Sequence, residues 1–426
     1  MSAGAPQSTE RRGIFFGWYI VAATIVLYIL SGGVVFYGFP IFFKALLEEY
    51  DWSAAAASVA FAILQLQGGG MSPVWGWLVG RFGVRPPMLA GTVVMVAGYG
   101  VLSRTDSLSL FYLGWALAGL GFAVYWTAPL VAIGNWFRAK RTLAIGLAMS
   151  GFGLSGAMAP ILNWGIEVYG WRAVFVAAGI GTLALGLPLC LVLRDRPEPY
   201  GYSVDDDPDA AAAEEEGEDG PSSGPEFTVA QAIRTRAFWL IAILITLANL
   251  AWTGLVPHWA AYLGDAGIAS NTVAVGLSGL TVATVIGRVG GGALADRFDK
   301  RYVMLAGFFV LSIAVVLFAM VSTPWQMVLF VALAGPAYGS LVPVQPSLAG
   351  DYFGTRSYAM ILGFLFGFFT IVCFGLPSAV GWVFDHYGTY RPAWWTLAAL
   401  TFAALPLVWM LRAPDPPAAD SERTSA

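Results

Sequence analysis

Arg288 stands in a run, Thr272 to Ala295, that otherwise holds only apolar, glycine and small hydroxyl residues. A guanidinium at membrane depth costs about 2.5–3.5 kcal/mol even on lenient insertion scales, so it is seldom kept without an ion or substrate to meet. It stays ionised at any working pH and offers a planar fork of donors that matches a carboxylate. Helical spacing places Thr281 and Thr284 above it and Gly291, Gly292 and Ala295 below it, a small, partly polar stripe that suits a cavity wall. The alternative is an arginine bonded to helix carbonyls or paired with a buried acid, and no Asp or Glu falls in the middle of any apolar run. His258, after Pro257, has an imidazole able to bind a carboxylate or carry a proton, or else to face outside water. Tyr125 offers a phenol donor from an apolar run, and its neighbour Trp126 then points elsewhere. Asn249 shares a face with His258 only if Pro257 distorts the helix. Gln65, Gln67, Tyr28, Tyr338 and Gln345 read more readily as helix–helix hydrogen-bonding residues.

These residues need a scaffold that holds them inside a bilayer. The 426 residues are 58% hydrophobic and 11% charged, where soluble domains carry roughly 25% charged residues; the mean hydropathy is +0.70. Apolar runs long enough to cross about 30 Å of hydrocarbon as helices centre near Ala23, Leu64, Val94, Ala118, Ser150, Gly181, Leu250, Val282, Phe309, Val331, Phe368 and Ala399. None alternates with the period of two that a transmembrane barrel requires. The fold class expected is therefore all-α integral membrane, with twelve transmembrane helices. The start, MSAGAPQSTERRG, leads into a long first span without a small-residue cleavage site, so no removed signal peptide is read there. With both termini placed in the cytoplasm, only Lys44, Arg104, Arg172 and Arg391 among the loop cations fall outside, the asymmetry expected of inner loops. Cys190 and Cys373 lie in predicted spans without metal-type spacing and read as packing residues.

One polar stretch, 194–236, divides the spans six and six. Asp205, Asp206, Asp207, Asp209, Glu214, Glu215, Glu216, Glu218 and Asp219 supply nine of the 26 acids there, so the remainder of the chain is net positive. It lacks the ligand spacing of a calcium loop and reads as a solvated cytoplasmic tether. The expected division is 1–193 for an N-terminal half, 194–236 for the linker, 237–412 for a C-terminal half and 413–426 for a disordered tail. The halves repeat in one register. Gly76-Trp77-Leu78-Val79-Gly80-Arg81-Phe82-Gly83-Val84-Arg85 matches the segment from Gly292 to Arg301, Asn135-Trp136-Phe137 matches Asp351-Tyr352-Phe353, and Tyr169-Gly170-Trp171-Arg172 is echoed by Tyr387-Gly388-Thr389-Tyr390-Arg391. A shared offset across three loops marks an internal duplication.

Two six-helix halves about a midplane site are the plan of the major facilitator superfamily, and the loop motifs resemble that family's. Its signature between the second and third spans, Gly-x-x-x-Asp-Arg-x-Gly-x-Arg, is similar to Gly76 through Arg81 to Arg85, with Gly80 in place of the acid. The second copy keeps Asp296 and Arg297 and has Asp299 where the second glycine is usual. The resemblance implies that Asp296 sits at the positive end of a helix in the opposite half and latches the outward-open state. Val256-Pro257-His258 with Gly267-Ile268, the Gly287-Arg288 pair, and Phe137-Arg138-Ala139-Lys140-Arg141 with Gly146 and Gly151 resemble the monocarboxylate and oxalate–formate branch. That likeness implies that Tyr125 is the family's substrate-facing tyrosine and that Arg288 binds the anion. It departs from the animal carriers in having Thr284 where they have an aspartate and no lysine in the core of the first span. It departs from the oxalate exchangers in having no lysine between Ser357 and Trp382.

The expectation is a secondary carrier in a cell membrane, multi-pass, with both termini cytoplasmic. A single fixed cation neutralises a monoanion and leaves a dianion uncompensated, which favours a lactate- or pyruvate-like acid with a coupled proton. An oxalate–formate type exchanger or a nitrate carrier is the alternative, and a drug exporter lacks its acidic cavity. Partners are the anion, a proton and membrane lipid. No nucleic acid, metal or cofactor is expected, and a monomer suffices. His258 and His386 form no catalytic constellation with other groups, so an enzyme is not expected.

Overall fold

A computed structural model describes residues 14–206 and 226–416, apart from positions 51, 53–58, 61, 62, 65, 68 and 69. Gln65, the acidic residues from Asp207 to Asp219, and the terminal arginines Arg11, Arg12 and Arg423 lie outside the described residues. Every regular element among the described residues is helical, as hydrocarbon requires of a chain that satisfies its own backbone within each segment.

The first crossing runs through α1 (Phe16–Gly32), a π turn at Gly33–Tyr37 and α2 (Phe39–Glu49). Glycine is needed at the joint because a Cβ on Gly33 would sit 2.6 Å from Met158 Cγ. The π turn re-aims the side chains it carries, among them Phe36 and Tyr37. The second crossing ends in α3 (Ser72–Phe82), and α4 (Arg85–Leu102) and α5 (Leu108–Trp136) follow. The fifth crossing is α6 (Arg141–Leu154) with the start of α7 (Met158–Gly181). Inside α7, Gly170 adopts φ 79° and ψ 154°, a conformation open essentially to glycine alone, and the chain reverses there into the sixth crossing, which finishes as α8 (Leu187–Val192).

After the short α9 (Val229–Arg234), the second half repeats the plan. It comprises α10 (Arg236–Leu255) and α11 (Trp259–Asp265), joined by a tight turn at Val256–His258, then α12 (Ser270–Ala295), α13 (Lys300–Ala319), α14 (Pro324–Phe353), α15 (Tyr358–Cys373) with α16 (Leu376–Tyr387), and α17 (Arg391–Met410). Nine stretches among the described residues are long and apolar enough to span a membrane. The one over Arg141–Val192 crosses twice by turning at Gly170, and the second and third crossings complete twelve. An even number of crossings brings both ends and the linker to one face, here termed the linker face.

The duplication reaches individual hydrogen bonds. Arg85 Nε donates to the Leu193 carbonyl at 2.6 Å, and Arg301 Nη1 donates to the Leu411 carbonyl at 3.2 Å. Asp205 accepts from the N–H groups of Arg138 and Ala139 at 2.9 and 2.6 Å, while Glu226 accepts from those of Thr355 and Arg356 at 3.1 and 2.7 Å. The two ends of the linker thus cap equivalent loops of the two halves.

The halves meet where α6 packs on α12 and α3 packs on α15. Both seams are glycine joints, which let backbones approach closely. A Cβ on Gly76 would stand 2.5 Å from the Ala359 carbonyl, and its repeat partner Gly292 is as tight against Thr142, at 2.7 Å. Gly363 faces the Ser72 carbonyl in the same way that Gly146 faces the Arg288 carbonyl, so Ser72 is the position in the first half equivalent to Arg288.

Candidate functional site

Arg288 is 8% exposed on α12. Its Nη1 donates to the Met149 carbonyl of α6, across the seam, at 2.5 Å. Its Nε is buried with no hydrogen-bond partner, and the hydroxyl of Tyr28, from α1, is buried without a partner as well. Tyr28, Tyr37 and Tyr338 are the phenols within electrostatic reach of the guanidinium. Tyr338 donates to Asn249 Oδ1 at 3.1 Å and stacks on Trp252 with ring centroids 4.3 Å apart and an interplanar angle of 4°. Four crossings therefore bring donors and rings to one place, and no ion pair of Arg288 occurs among the described residues. Buried donors without acceptors cost roughly 1–3 kcal/mol each, more when charged. A carboxylate, which only accepts, would satisfy both.

Of the residues singled out with Arg288, Thr284 lies one turn away but is 2% exposed and spends its hydroxyl on the Thr281 carbonyl at 2.7 Å, at the α12–α14 contact. Tyr125 is brought somewhere else. Fully buried, its hydroxyl lies 2.5 Å from Thr92 Oγ1, against α4, and Cys190 of α8 bonds the same threonine hydroxyl at 3.5 Å. Its neighbour Trp126 instead turns to the centre, 5.2 Å from Phe152 of α6 and 6.4 Å from Phe366 of α15. His258 is also apart from Arg288. Its Nε2 lies 2.9 Å from the Pro377 carbonyl, to which it donates, and its ring is 5.1 Å from Tyr390. The turn at Pro257 does distort the helix, yet it leaves Asn249 at Tyr338 and His258 against α16. Among the weaker candidates, Tyr28 and Tyr338 join Arg288. Gln345 instead donates to the Leu244 carbonyl at 3.4 Å, and Gln67 lies against Gly119.

The linker face is closed by polar contacts between halves. Asp296 accepts from the N–H groups of Thr142 and Leu143 at 3.0 and 2.8 Å, at the amino-terminal end of α6. Asp351 bonds Arg141 Nη1 at 3.1 Å with one oxygen and Lys300 with the other. Thr142 and Ser347 share a hydroxyl–hydroxyl bond of 2.8 Å. In the first-half copy of the loop, Gly80 has nothing within 4 Å of a would-be Cβ, Arg81 is exposed over the Phe82 ring, and Arg85 also lies over Tyr200. Arg297 is exposed. Asp299 caps α13 by accepting from the Arg301 N–H, and its carboxyl is held below the usual range by the hydrogen-bonding Arg301 guanidinium. Burial pushes Asp195 above that range even though it accepts from the Val84 N–H. The Arg141–Asp351–Lys300 bridge was missed in the sequence, where Asp351 is visible only as the repeat of Asn135, and no periodicity links positions 210 apart.

A family model described as Major Facilitator Superfamily matches residues 14–283 and again 241–426. Monocarboxylate transporter 13 of Bos taurus is 27% identical over 356 residues, covering 82% of this chain and 78% of the relative. The oxalate:formate antiporter of Oxalobacter formigenes is 24% identical over 369 residues, covering 84% and 83%. Among solved structures, the fucose:proton symporter of E. coli aligns with a TM-score of 0.69 over 92% of this chain and 98% of that one, and the human organic anion transporter MFSD10 with 0.71 over 92% and 99%. At 15% identity each, these two likenesses bear on the fold alone.

Proposed function

Since the chain belongs to the major facilitator superfamily, whose members here are transporters and not enzymes, we propose that it carries a monocarboxylate of the lactate and pyruvate class, with a proton, across a cell membrane by alternating access. The observation that carries this reading is the unpartnered Nε of Arg288 facing a membrane-depth cluster that contains the unpartnered Tyr28 hydroxyl and no acid among the described residues. One fixed positive charge balances one carboxylate. The printed names of the relatives, a monocarboxylate transporter and an oxalate:formate antiporter, agree with an organic anion. The linker face is assigned to the cytoplasm, so the contacts of Asp296 and Asp351 hold an outward-open state.

Exchange is the second reading, and it has its own support. The groups around Arg288 are phenols and an amide, while His258 is engaged with Pro377. Returning empty then means passing an uncompensated buried cation through the closed state, which is unfavourable. The test is uptake of labelled lactate and pyruvate into vesicles holding the purified protein. Accumulation driven by an inward proton gradient supports symport. Uptake that ignores the gradient but needs unlabelled anion inside supports exchange. Absence of both overturns the reading of lactate and pyruvate as substrates.

A further inference from the structure

Beside Arg288 the chain builds a wall of rings that binding a bare carboxylate does not use. Tyr37 is among the phenols within electrostatic reach of the guanidinium, and Phe152 packs on Tyr37, which brings its ring into the same region. The Phe152 ring is 5.4 Å from Phe36, 5.9 Å from Tyr37 and 5.2 Å from Trp126, and Trp126 continues the wall to Phe366 of the other half. Phe36, Tyr37, Trp126 and Phe152 each keep part of their surface uncovered although they stand between crossings. Rings left partly bare at the centre of a bundle, next to a cation with an unused donor, describe a site with one charged end and one apolar end. Lactate, with its single methyl group, covers little of such a wall.

We propose that Phe152 and Trp126 set the specificity of this site, which takes monocarboxylates whose body is a bulky apolar or aromatic group in preference to lactate and pyruvate. The inference rests on the reading of Arg288 as the carboxylate anchor. The carboxylate meets Arg288, and the body lies against Phe152 and Trp126, where burial of apolar surface adds binding in proportion to the area covered. An alternative use of such rings is a cage for a quaternary ammonium group, as in a zwitterionic betaine.

The test is inhibition of labelled pyruvate uptake by full-length protein in vesicles, with thermal stabilisation of the purified protein as a second readout. Phenylpyruvate is expected to act at least tenfold below the concentration at which unlabelled pyruvate does. Phe152→Ala and Trp126→Ala are expected to bring that ratio towards one, while Phe152→Leu, which keeps the side chain apolar and large, retains most of it. The isosteric pair 3,3-dimethylbutyrate and glycine betaine separates an apolar wall from a cation cage. The inference is overturned if phenylpyruvate and pyruvate act equally on the wild type, if neither alanine variant changes the ratio, or if betaine outcompetes 3,3-dimethylbutyrate. If pyruvate is carried and only the preference is missing, the anchor survives and the ring wall alone fails. If no monocarboxylate is carried or stabilises the protein, both fall.

Discussion

At the scale of single residues, Arg288 couples the two halves and the proposed substrate through one planar group. One nitrogen holds the Met149 carbonyl while Nε is left for a ligand. A lysine keeps the charge but cannot hold both directions at once. Arg288→Lys is therefore expected to lower uptake at least tenfold and Arg288→Ala to reduce it to that of empty vesicles, both at wild-type levels of protein in the membrane; wild-type uptake by either would remove Arg288 from the site. Tyr28→Phe deletes a single donor, worth about 1 kcal/mol, and is expected to raise the KM for the anion roughly fivefold with little change in maximal rate. Arg288 was legible in the sequence because charge inside an apolar run is rare. Tyr125 was not, because the choice between it and Trp126 depends on which face of α5 turns inward, and a helix apolar on all sides carries no such signal. The same holds for Tyr28, whose role depends on what crosses beside it.

Elements carry the conformational change. The amino-terminal end of α6 presents two backbone N–H groups and a partial positive charge to Asp296, an interaction of about 0.3–1 kcal/mol for an exposed pair and more where it is partly buried. An asparagine keeps an acceptor and loses the charge. Asp296→Asn is expected to raise the population with an open linker face about two- to fivefold. Ser347, fully buried at this seam, is a reporter position, and the two native cysteines are buried. Ser347→Cys should react with a thiol reagent applied from the linker face faster in the Asp296→Asn background, and equal rates would deny Asp296 a latching role. The acid and its helix are local features that a loop motif exposes. Asp351 with Arg141 and Lys300 is a tertiary meeting of three elements, and neither charge nor spacing singled it out.

For the molecule as a whole, the duplication supplies a frame and the differences between copies supply the asymmetry a carrier needs. The twelve crossings and the register of the repeat were readable because hydropathy and offset are properties of the chain itself, whereas the sharing of contacts between halves required the fold. Ser72 stands where the other half has Arg288, which leaves one cation at the centre instead of two. Gly80 stands where the other half has Asp296, so the seam of α3 on α15 lacks the carboxylate that closes the seam of α12 on α6. A Cβ at Gly80 meets nothing within 4 Å, so an acid can be placed there without displacing a neighbour. Gly80→Asp would set a carboxylate towards the amino-terminal end of α15 and add a second latch of roughly the same 0.3–1 kcal/mol. Stabilising one end state deepens a well that the carrier must leave on each cycle. The expected outcome is a twofold to fivefold slower turnover, an unchanged preference among substrates, and slower labelling of Ser347→Cys from the linker face. Faster turnover with slower labelling would mean that closing the linker face, and not opening it, limits the cycle.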